Sequence, residues 1–93
     1  MERKIIRRRI LFYGRVQGVG FRYRARYVSE SLRLTGWVRN EEDGTVTMEV
    51  QGDEASIDRM LQMLHQDRYI DIVDMDIKNL VTQENERNFE VKD

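Results

Sequence analysis

Gly36-Trp37-Val38-Arg39-Asn40-Glu41-Glu42-Asp43-Gly44-Thr45-Val46-Thr47-Met48-Glu49-Val50-Gln51 is the stretch on which the fold turns. Val46, Met48 and Val50 alternate with Thr47, Glu49 and Gln51, the period-two pattern of a half-buried strand. Asp43-Gly44 is a strong tight-turn signal, so residues 36–40 and 45–51 are predicted to pair as a hairpin. A helical period flanks the hairpin on each side. Upstream, Phe21, Ala25, Val28 and Leu32 form an apolar stripe, with Arg22, Arg24, Arg26, Ser29 and Glu30 on the opposite face. That helix is expected to end before Thr35-Gly36, the glycine supplying a left-handed closing turn. Downstream, Asp53 is placed to cap a helix carrying Ile57, Met60, Leu61 and Leu64.

Working outward, Ile10-Leu11-Phe12-Tyr13 reads as a strand bounded by Arg7 to Arg9 and by Gly14. Val73, Met75 and Ile77 alternate with Asp74, Asp76 and Lys78, and Phe89 and Val91 alternate with their polar neighbours in a short last strand. Strand, helix, strand, strand, helix, strand is the split βαβ arrangement. The predicted fold is therefore α+β: a ferredoxin-like βαββαβ sandwich, its antiparallel or mixed sheet carrying two helices on one face and a short extra C-terminal strand. The 93 residues are expected to form a single domain, 1–93, with no internal repeat or linker.

The net charge of −1 is a cancellation. Residues 1–40 hold 11 basic and 2 acidic side chains, while residues 41–93 hold 5 and 15. Such asymmetry raises the question of an anionic partner. With no cysteine, the chain has neither a disulfide framework nor a thiolate for metal binding or nucleophilic attack, and a reducing compartment is expected. The opening run Met1-Glu2-Arg3-Lys4-Ile5-Ile6-Arg7-Arg8-Arg9 is charged where a signal peptide needs an apolar stretch, and no segment approaches the length of a membrane span. A cytoplasmic protein without membrane contact is the expectation.

Chemistry is most legible in Gly14-Arg15-Val16-Gln17-Gly18-Val19-Gly20-Phe21-Arg22, which joins a predicted strand to a predicted helix. Glycines here let successive N–H groups turn inward, and a helix's first turn adds further free N–H groups. Arg22 can fork onto two oxygens of the same anion. The run is not a P-loop, which needs Lys-Ser or Lys-Thr after its last glycine, nor a dinucleotide loop, which needs glycine where Tyr23 stands. From spacing alone, a tight strand-to-helix turn with Arg22 in solvent accounts for the glycines equally well. Elsewhere, His65 reads as a surface histidine and Asp74 and Asp76 as solvated acids on one strand face. Met60, Met63 and Met75 read as core, and Trp37, Phe21 and Tyr23 as packing residues, Tyr23 with the alternative of bordering the pocket.

The run from Phe12 to Arg22 resembles the first acylphosphatase signature, an apolar residue followed by G-x-V-Q-G-V-x-F-R. Gly36-Trp37-Val38-Arg39-Asn40, followed by Gly44, Val46 and Gly52, resembles the second, and the order and spacing of the two agree. The chain departs from the family's pattern at Phe12, where a branched aliphatic is usual, and at Asp67-Arg68, where Gly-Pro often stands.

This resemblance implies metal-independent hydrolysis of the carboxyl–phosphate bond of a small acyl phosphate, with inorganic phosphate as product and inhibitor. It makes Arg22 and Asn40 the catalytic residues, Arg22 binding phosphate and Asn40 orienting water. Arg15, Val16, Gln17, Gly18, Val19, Gly20 and Phe21 become the phosphate-binding loop, with no metal and no cofactor. Without the resemblance, Asn40 reads as a strand-end asparagine that satisfies the turn backbone. Two other classes compete: a non-catalytic phosphate-binding module, and a nucleic-acid binder using the basic half. The second would place aromatics on its central strands, and Thr45 to Gln51 has none. A monomer that binds no nucleic acid is the expectation.

Overall fold

The computed structural model describes residues 4–93; Met1, Glu2 and Arg3 of the charged opening run lie outside the described residues. The elements follow in the order β1 (Ile5–Arg15), α1 (Phe21–Ser31), β2 (Thr35–Asn40), β3 (Val46–Asp53), α2 (Glu54–His65), β4 (Asp71–Leu80) and β5 (Phe89–Lys92). They build one mixed sheet in the order β4-β1-β3-β2-β5. β1 runs antiparallel to both β3 and β4, β2 antiparallel to β3, and β5 parallel to β2. Both helices cover one face, where Ile10, Phe12, Val38, Met48 and Val50 meet Ala25, Val28, Ile57, Met60 and Leu64 in a single core. This is the ferredoxin-like architecture that the element order predicts. No helix among the described residues is long and apolar enough to cross a membrane.

Local chemistry accounts for most boundaries. Asp53 caps α2, its carboxylate accepting from the Ala55 N–H at 3.1 Å. Asp43 closes the β2–β3 turn by accepting from the Thr45 N–H at 3.0 Å and the Thr45 hydroxyl at 2.6 Å. In the turn after α2, Asp67 accepts from the Tyr69 N–H at 2.9 Å and pairs with Arg24 at 3.4 Å.

Four expectations are corrected. First, β1 begins at Ile5, not Ile10, and runs straight through the arginines. Arg7 is 1% exposed on the sheet face away from the helices. Its Nε and Nη2 donate to Glu49 Oε1 at 3.1 and 3.0 Å, and Nη1 and Nη2 fork onto Glu86 at 2.8 and 3.2 Å. Second, the left-handed residue that closes α1 is Arg33 (φ 59°), in a Schellman turn in which the Leu34 N–H reaches the Ser29 carbonyl at 2.8 Å. Gly36 instead lies inside β2 at φ 142°, where a Cβ would collide with the Glu49 carbonyl of β3. Third, Ser29, placed by the sequence on the polar face, is fully buried: it follows Ala25 by four positions and sits on the flank of the apolar stripe. Fourth, Val73 is the extra residue of a β-bulge, since Tyr13 pairs with Asp74 and Gly14 with Ile72. Val73 is therefore exposed, and Ile72 and Met75 pack against the core; Ile77 shares Met75's face of this edge strand and is half exposed beyond the helices' cover.

Desolvation alone would raise the Glu86 carboxyl, but hydrogen bonds from Arg7 and Thr35 outweigh it and hold the group below its ordinary range. The stability this contributes is present above the unfolded-state carboxylate pKa of about 4.3 and is lost as pH falls through the depressed folded value. Arg7→Ala leaves Glu49 and Glu86 near each other without their shared cation and should cost about 3 kcal/mol in urea unfolding at neutral pH. The variant should also lose less stability than the parent on acidification, and unfolding curves at stepped pH measure the difference.

Candidate active site

At the end of β1 the chain leaves the sheet through Val16, which is buried, and Val19 packs against the core, so two apolar anchors pin a loop whose glycines, Gly18 and Gly20, are exposed. Between and after them, Gly18 (φ 72°) and Gly20 (φ 80°) take left-handed conformations that L side chains rarely adopt. Gly20 is the N-cap of α1 and offers no side-chain acceptor, and the first turn contains no acidic residue. The first-turn N–H groups are thus left for an anion. The helix direction is set by Phe21, whose ring meets Phe12 edge-on at 4.8 Å and 60°.

Gln17 turns away from the cradle. Its Nε2 donates to the Glu41 carbonyl at 2.7 Å and to the Thr45 carbonyl at 2.8 Å, tying the loop to both sides of the β2–β3 turn. Thr45 O also accepts from the Glu41 N–H at 2.9 Å, so loop and hairpin share an acceptor. The hydrogen bond from the Thr45 hydroxyl, followed by that from its N–H, holds the Asp43 carboxyl below its usual range. Glu41 is likewise held low, first by Thr47 and then, against some desolvation, by Arg39, whose Nε lies 3.1 Å from Glu41 Oε2. Both acids are therefore committed to partners within the hairpin, Asp43 in its turn and Glu41 on its strands.

A cavity of about 120 Å³ opens where loop, helix and hairpin meet, lined by Val16, Gly18, Gly20, Phe21, Arg22, Tyr23 and Asn40. Asn40 ends β2, opposite Val46. Its Oδ1 is buried and has no hydrogen-bond partner among the described residues, an unmet acceptor in a residue that lines the cavity. Arg22 is 24% exposed, and its Nη1 donates to the Lys92 carbonyl at 3.0 Å, so the end of β5 steadies the guanidinium. An exposed Asp93 lies 3.9 Å from the same nitrogen.

Arg22, Asn40, Val16, Gly18, Gly20 and Phe21 thus converge, as the sequence reading groups them. Three of the grouped residues play other parts: Arg15 is the exposed last residue of β1, Gln17 braces the loop, and the Val19 side chain is an anchor. Tyr23 is the wall residue read first as packing; it is 60% exposed and borders the pocket. His65 is exposed in the last turn of α2, far along the chain from the cavity's residues. Asp76 accepts from the Tyr13 hydroxyl at 2.9 Å, and among the described residues no three His, Cys, Asp or Glu side chains gather in a metal-holding group.

The family model described as acylphosphatase matches residues 8–91. An acylphosphatase of Clostridium perfringens is 41% identical over 86 residues, covering 91% of this chain and 97% of that protein. One from Clostridium acetobutylicum is 38% identical over 92 residues, covering 98% and 97%. Among solved structures, the acylphosphatase from Bacillus subtilis superposes with a TM-score of 0.86 at 28% identity, covering 94% of this chain and 98% of that one. Sequence and fold agree over nearly the whole chain, and it belongs to the acylphosphatase family, enzymes acting on small acyl phosphates.

Proposed function

We propose that the N–H groups of the Arg15–Phe21 loop and the Arg22 guanidinium bind the phosphoryl group of an acyl phosphate, and that Asn40 orients the water that attacks it. The observation carrying this reading is that Asn40, whose buried Oδ1 has no hydrogen-bond partner among the described residues, lines the same cavity as Arg22 and the two left-handed glycines. Water donating one hydrogen to Oδ1 turns a lone pair toward phosphorus. The new P–O bond forms as the bond from phosphorus to the acyl oxygen breaks, and the electron pair leaves with the carboxylate. A phosphoryl oxygen takes the water's proton, since an amide is no base.

Charge in the transition state spreads over the equatorial oxygens, where fixed N–H dipoles and a forked guanidinium act without reorganising. The leaving carboxylate has a conjugate acid of pKa about 4 and departs without a proton donor. This chemistry asks little of His65 or the acids of the hairpin. The mechanism needs no metal ion, and turnover in excess chelator is the expected behaviour.

Phosphate release from benzoyl phosphate in chelator tests the assignment. Asn40→Ala should lower kcat/KM by about a hundredfold to a thousandfold, the scale of losing one placed hydrogen-bonding group. Arg22→Ala should lower it by about a thousandfold or more, with Arg22→Lys restoring little because an ammonium lacks the fork. Full turnover in either alanine variant, or none in the parent, would sink the reading. Gln17→Leu removes the brace while leaving the loop's N–H groups in place. Because a misplacement of about 1 Å costs on the order of a hundredfold, kcat/KM should fall by about tenfold to a hundredfold, with circular dichroism unchanged.

A further inference from the structure

The wall of the cavity continues onto the surface of α1 as a strip of positive charge. Tyr23 lines the cavity, and its ring has the Arg22 Cζ at 5.9 Å and the Arg26 Cζ at 5.7 Å from its centroid. One ring thus holds two guanidiniums. Arg22 and Arg26 stand four residues apart on the helix, neighbours on one face separated by about 6 Å. Arg26 Nε lies 3.5 Å from Glu30 Oε1, and the two side chains are 48% and 62% exposed. Exposed pairs of this kind contribute little, so the guanidinium remains available to a second carboxylate.

Arg22 and the loop take the phosphoryl group in the proposed reaction, and the acyl group must then point out of the cavity. With Phe21 buried, Tyr23 is the exposed aromatic of that wall. An acyl chain leaving over Tyr23 runs toward Arg26, whose guanidinium Cζ lies 5.7 Å from the centroid of that ring.

Building on that assignment of Arg22 and the loop, we infer that Arg26, held by Tyr23, is a specificity-determining residue that favours acyl phosphates carrying a second anionic group on the acyl side. Arg26 makes no contact with the reacting atoms. Its effect falls on binding, and therefore on KM more than on kcat, and it weakens with salt because the site is open.

The test compares 4-carboxybenzoyl phosphate with 4-methylbenzoyl phosphate, rigid probes that differ at the far end of the ring. The ratio of their kcat/KM values is measured for the parent, Arg26→Gln and Tyr23→Leu, so that any general loss of activity cancels. In Arg26→Gln the ratio should fall by about threefold to fivefold, mostly through KM, and the fall should shrink in high salt. Tyr23→Leu, which leaves Arg26 unsupported, should move the ratio in the same direction by a smaller factor. A ratio unchanged in Arg26→Gln overturns the inference while leaving the reaction assigned above intact. A parent that hydrolyses neither probe overturns both.

Discussion

Antiparallel pairing of β1 with β3, from Ile5 opposite Asp53 to Phe12 opposite Val46, is the constraint on which the molecule depends. Because these two interior strands run in opposite directions, the end of β1 and the start of β3 fall at the same end of the sheet. The loop after β1 must therefore lie against the turn before β3. That juxtaposition brings Gln17 to the carbonyls of Glu41 and Thr45, and sets Asn40 and Arg22 in the wall of one cavity. The site follows from strand pairing more than from any single side chain. At the opposite end of the same pair, Arg7 clamps Glu49 of β3 and Glu86 of the segment before β5.

Phe12 and Phe21 connect this frame to the helix. Phe12 is the position at which the chain departs from the family's usual branched aliphatic, and its ring meets Phe21 edge-on. A flat side chain at the strand's inner face thereby fixes the first residue of α1, and with it the direction of the N–H groups at the cradle. Asp67 is a second departure with a local answer: in place of a Gly-Pro step, its carboxylate holds the Tyr69 N–H and Arg24.

The element order was legible in the sequence because it rests on local periodicity, and the grouping of Arg22 with Asn40, which line one cavity, came from the resemblance of two separate motifs to one family rather than from spacing. What was not legible depends on partners distant along the chain. Arg7 looks like a strand boundary until Glu86, 79 residues away, supplies the carboxylate that allows its burial. Gly36 looks like a helix stop, whereas its lack of a side chain answers the Glu49 carbonyl on the neighbouring strand. Gln17 looks like one more loop residue, but its partners are backbone carbonyls 24 and 28 positions on, which carry no sequence signal at all. Val73 belongs to a two-residue alternation that a bulge interrupts, and the bulge is set by β1 rather than by β4's own pattern.

The charge asymmetry resolves in the same terms. Arg7 pairs with Glu49 and Glu86, Arg8 with Glu54 and Asp58, and Arg24 with Asp67, so much of the basic first half is matched by the acidic second half within the fold. These pairs draw β1 to α2 and α1 to the turn before β4. Along α1 the matching is uneven. Arg24 is tied to Asp67, while Arg22 leans on a backbone carbonyl and Arg26 on an exposed glutamate of its own helix. The positive field left over is thus concentrated along the face of α1 beside the cradle. A field of that size suits a small anion with two charged ends better than an extended polyanion, which would need neutralising contacts over many phosphates.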